Sequence, residues 1–78
     1  MVLIRIKNMN KLNSRVLDDI LEIVEMYQKE PWIYDSNIYR AYEACKRIIR
    51  EAERKKIIPY DWDLYNKYIK YVTEKLDI

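Results

Sequence analysis

Arg40, Arg47 and Arg54 recur at seven-residue spacing, so on a helix turning 100° per residue they share one line. Lys46 and Arg50 fall beside that line, with Tyr39 among them. Guanidinium groups in a row with an aromatic ring suit a polyanion, because the cations meet phosphates and the ring stacks on a base. The same row is also the ordinary solvated face of an amphipathic helix, balanced by Glu43, Glu51 and Glu53. A second group of residues suits protein contacts instead. Trp32, Tyr34 and Trp62 lie near helix ends, and Met26 falls off the main apolar stripe of its segment. Large aromatics near a surface anchor interfaces. In so short a chain, loop aromatics more often plug the end of a bundle, and that is the expected role of both Trp rings.

Catalytic chemistry is poorly supplied. There is no His, the commonest general base and metal ligand, and no Gly, so phosphate-cradling loops are excluded. The single Cys cannot form an internal disulfide or, without His, the usual zinc site. Cys45 falls on an apolar stripe, where a thiol loses reactivity. Asp61 and Asp63, like Asp18 and Asp19, are paired carboxylates of the kind that hold divalent cations, yet both pairs fall at helix starts, where Asp caps. The expectation is a non-enzyme with no cofactor and no metal.

Three segments must position these residues. Val16, Leu17, Ile20, Leu21, Ile23, Val24 and Tyr27 form a stripe at helical spacing, capped by Asn13 or Ser14 and stopped by Pro31. Ile38, Ala41, Tyr42, Cys45, Ile48, Ile49 and Ala52 form the cleanest stripe, capped by Asp35 or Ser36. Leu64, Tyr65, Tyr68, Ile69, Val72 and Leu76 form a third, with Asp61 as N-cap and Tyr60 spaced to staple onto Tyr65. The predicted helices span about 14–29, 36–56 and 61–77. Glu43 with Arg47 and Glu51 with Lys55 are favourable four-residue pairs. Short connections between three such helices predict an all-α, up-down-up, compact three-helix bundle in one domain. Ahead of it, Val2, Ile4 and Ile6 alternate with Leu3, Arg5 and Lys7, the period of a short extended or β segment.

A basic strand followed by two helices resembles the ribbon-helix-helix DNA-binding family. There, strands from two chains pair and send alternate side chains into the major groove. The resemblance covers the first 50 or so residues. It implies a homodimer with Leu3, Arg5 and Lys7 facing DNA. The chain departs from that pattern in the residues between strand and helix, in the helix–helix turn without Gly, and in its third helix.

The 78 residues carry 15 basic and 13 acidic groups, a net charge of +2 that does not by itself imply nucleic acid. The charge is blocked: residues 1–15, 16–36, 37–56 and 57–78 carry net +4, −5, +4 and −1. The acidic first helix therefore lies beside the basic second, and their flanks are expected to attract. Abundant Lys, Glu, Ile and Tyr resemble a heat-adapted composition. No apolar run approaches the roughly 20 residues of a membrane span, and no signal-peptide pattern opens the chain, so a soluble cytoplasmic protein is expected. The function expected first is binding another protein or a second copy of itself, through Met26, Trp32, Tyr34 and Trp62. Nucleic-acid binding through Arg5, Lys7, Tyr39, Arg40, Lys46, Arg47, Arg50 and Arg54 is the alternative.

Overall fold

The computed structural model describes residues 12–78, so the expected extended segment with Arg5 and Lys7 lies outside the described residues. Three α-helices follow in order: α1 (Ser14–Lys29), α2 (Ile38–Arg54) and α3 (Trp62–Leu76). No strand occurs among the described residues. The all-α three-helix bundle is as expected, and each helix packs on the other two. Arg15 and Asp19, early in α1, border the same hollow as Glu51 and Lys55, late in α2, so these neighbours run antiparallel.

One core joins the helices: Val16, Ile20 and Val24 from α1, Ala41, Cys45, Ile49 and Ala52 from α2, and Tyr65, Tyr68, Val72 and Leu76 from α3. Ile58 of the second connection closes it. Each fully buried aliphatic side chain contributes about 1.5–3 kcal/mol relative to exposure. The α2 contribution is mostly small side chains, which lets both neighbours approach its backbone. Tyr68 is fully buried, and its hydroxyl accepts the Asn13 backbone N–H at 2.7 Å, tying the start of α1 to α3. Burial pushes the Tyr68 hydroxyl above its ordinary pKa of 10.0, with the Asn13 bond opposing. Every buried side-chain polar atom among the described residues is hydrogen-bonded.

The caps account for the boundaries. Asn13 accepts the N–H groups of Arg15 and Val16, and Asp61 accepts that of Leu64, both as expected. α2 begins two residues later than expected and is capped by Asn37, which accepts the Tyr39 N–H at 2.9 Å. The reason is backbone geometry: Asp35 and Ser36 both sit at φ 55°, left-handed and unusable as an N-cap. They follow a 3-10 turn, Pro31–Tyr34, in a stretch expected to be plain loop.

A chain without glycine must still end its helices. After α2, the Lys56 N–H donates to the Glu53 carbonyl and the Ile57 N–H to the Ala52 carbonyl, a Schellman motif with Lys56 at φ 61°. After α3, Asp77 (φ 59°) and Ile78 repeat the pattern on Glu74 and Thr73. A Cβ at such a position costs about 1 kcal/mol. Lys56→Gly is therefore expected to raise unfolding stability by about 0.5–1 kcal/mol in a urea titration. A loss of stability would mean that Lys56 does not hold the left-handed cap.

Candidate protein-interaction site

Trp32 and Ile33 stand on the 3-10 turn, with 65% and 48% of their surfaces in water. Tyr39, in the first turn of α2, is 61% exposed and lines the same hollow as Ile33. Beneath them the turn is held in place. Tyr34 is half-buried and packs on the core; its hydroxyl faces the Met26 sulfur at 3.8 Å, and its ring lies 6.4 Å from that of Tyr27. Met26 and Tyr34, expected as anchors, thus support the turn, while Trp32, Ile33 and Tyr39 face outward.

Trp62 lies at the opposite end of the bundle, so the four expected anchors do not form one surface. It is 67% exposed and stacks on Tyr65 with centroids 5.6 Å apart. Neither Trp plugs the core, and that expectation is corrected: Ile58 and Tyr65 close this end and Tyr27 and Tyr34 pack at the other. The staple between Tyr60 and Tyr65 is also replaced. Tyr60 is 84% exposed, and the Arg50 guanidinium lies over the Tyr65 ring at 3.8 Å, with Tyr60 farther off at 6.0 Å. Arg50 in turn donates to Glu53 at 2.9 Å, and Glu53 is buried, although the sequence placed it on a solvated face. Its side-chain hydrogen bond to Glu53 raises the Arg50 pKa. Sequence reasoning missed this assembly. Its only signal was a carboxylate one turn past Arg50 and next to core residue Ala52.

The basic row of α2 is exposed at Arg40, Arg47 and Arg54, as the helical projection required. Most of it is engaged by nearby carboxylates. Arg40 pairs with Asp35 at 3.5 Å, Lys46 with Glu43 at 3.5 Å, and Arg54 grips Glu51 with contacts of 2.6–2.9 Å. This hydrogen bonding lowers the Glu51 pKa and raises that of Arg54. The pairs within α2 span three residues, so the expected partnerships of Glu43 with Arg47 and Glu51 with Lys55 do not form. Among the described residues no ion pair bridges α1 and α2, although Asp19 of α1 borders the same hollow as Arg47 and Lys55 of α2; Arg47 has no carboxylate at ion-pair distance.

The single thiol is withdrawn from solvent, as its place on the apolar stripe predicts. Cys45 is fully buried, with its sulfur 4.0 Å from the Ile20 carbonyl oxygen. Among the described residues, no cluster of three potential metal ligands forms, and no helix is long and apolar enough to cross a membrane. No protein-family model matches the chain, and no curated protein or solved structure is significantly similar to it.

Desolvation raises the Cys45 thiol from 9.0 to about 11. The unfolded chain therefore releases this proton first. The thiol's contribution to stability is complete below pH 9, declines as pH rises, and is gone above about 11. Alkylation of native Cys45 near pH 8 is expected to run at least about tenfold slower than in the urea-unfolded chain, since the thiolate is the nucleophile and the sulfur is fully buried. Equal rates in the two states would contradict the burial.

Proposed function

We propose that this chain is a non-enzymatic protein-interaction module that docks through Trp32, Ile33 and Tyr39. The observation that carries the reading is the outward display of Trp32 and Ile33 on a turn packed from below by Tyr34 and Met26, with Tyr39 of α2 exposed beside them. Aromatic side chains on a rigid support lose little entropy when a partner covers them, which suits an interface centre. Nucleic-acid binding draws less support, because Arg40, Lys46, Arg50 and Arg54 each already hold a carboxylate that a phosphate would have to displace.

The test is affinity capture with the immobilised chain, comparing wild type with Trp32→Ala/Tyr39→Ala and with Trp62→Ala. The double variant is expected to bind the captured protein at least about thirtyfold more weakly, the ~2 kcal/mol of a hot-spot residue, while the melting curve stays unchanged. Trp62→Ala is expected to leave capture intact. Undiminished capture by the double variant would refute the assignment. Retention of nucleic acid alone, lost steeply with added salt, would favour the alternative.

A further inference from the structure

One face of α2 continues from the Trp32 turn to the far end of the bundle. Arg40, Ala44, Arg47, Ile48, Glu51 and Lys55 recur along it at three- and four-residue spacing. Two hollows lie on this face. One, of about 380 Å³, has Ile33, Tyr34, Tyr39 and Ala44 as its apolar surface and Asn37, Arg40, Glu43 and Arg47 as its polar one. The other, of about 290 Å³, has Val16, Ile48, Ala52 and Ile57 as its apolar surface. Arg47 borders both, so the two hollows are neighbours that line up as one track along this face. From Arg40 to Lys55 the helical rise gives it a length of roughly 22 Å, that of a partner helix of about 15 residues. Its relief has simple causes. Ala44 and Ala52 leave depressions, and the Schellman turn after α2 brings Ile57 back beside Ala52 as one wall.

The charges on the track are unequal in availability. Glu43 and Glu51 are engaged by Lys46 and Arg54, and Arg40 by Asp35. Among the described residues, Arg15, Arg47 and Lys55 have no carboxylate at ion-pair distance, while Asp19 is the one lining carboxylate without a cation. An apolar floor edged by three available cations complements one chemistry in particular. We infer that the track receives an amphipathic helix of a partner protein, with apolar side chains entering the two hollows and flanking carboxylates meeting Arg15, Arg47 and Lys55. A phosphate backbone would use the same cations and leave the apolar floor empty. This inference rests on the interaction-module reading and adds the class of partner.

Fluorescence anisotropy of a labelled synthetic helix tests it with the intact chain. The probe carries Leu at helical a and d positions and Glu on the flanks; a control replaces every Glu with Lys. The acidic probe is expected to bind the wild-type chain at least about tenfold more tightly than the basic control. It is expected to lose about tenfold in affinity to Arg47→Glu/Lys55→Glu, whose substituted positions are exposed and whose helicity by circular dichroism should not change. Equal binding of both probes, no binding of the acidic probe at millimolar chain, or indifference to the charge reversal would overturn the inference. So would preferential binding of a single-stranded oligonucleotide that competes at the same residues. If capture of a natural partner needs Trp32 and Tyr39 but survives the charge reversal, the track is wrong and the module reading stands.

Discussion

α2 must bury one narrow stripe against two neighbours at once, and much of the molecule follows from that constraint. Ala41, Cys45, Ile49 and Ala52 supply the stripe. Ala41, Cys45 and Ala52 are small and bring α1 and α3 close, and the larger fully buried groups come from all three helices: Ile20 of α1, Ile49 of α2, and Tyr68 and Val72 of α3. With that stripe committed to the interior, the charged majority of α2 is forced outward. The helix most basic in sequence thereby becomes the most ornamented surface.

How those outward charges are satisfied separates the two ends. Near α3, Arg50 is fixed between the Tyr65 ring and the buried Glu53 carboxylate, and Trp62 stacks on the same Tyr65 ring. This end is held by its own internal contacts. At the other end the Trp32 turn is supported from within but leaves its largest rings in water. Surface ion pairs of the kind along α2 each contribute little to stability. Their effect is better understood as deciding which cations remain available to a visitor, Arg47 foremost.

The bundle was legible because its signals were redundant. Each helix had a stripe at the right period and a polar cap, and α1 matches its expected span, Ser14–Lys29. The start of α2 was missed for a local reason. Asp35 and Ser36 look like caps by residue type, but a glycine-free turn places both in the left-handed region and hands the role to Asn37. The candidate surfaces were harder to read. Periodicity assigned Trp32 no face and put Trp62 only at the edge of an apolar stripe, since each sits at an element end, and bulk favoured the interior. The sequence likewise could not choose between three- and four-residue ion pairs, which differ by a rotamer. Burial of Glu53 depends on Arg50 and Tyr65 meeting across two helices, and no local pattern contains that.

The central claim is that the free chain keeps Trp32 in water on a supported turn, available to a partner, while Trp62 is equally exposed where it stacks on Tyr65. Tryptophan fluorescence at a concentration where sedimentation shows a monomer tests it most directly. The account predicts an emission maximum close to that of free indole in water, with both rings readily quenched by acrylamide. A blue-shifted, quench-resistant spectrum from that monomer would show the rings inside the bundle and contradict the account.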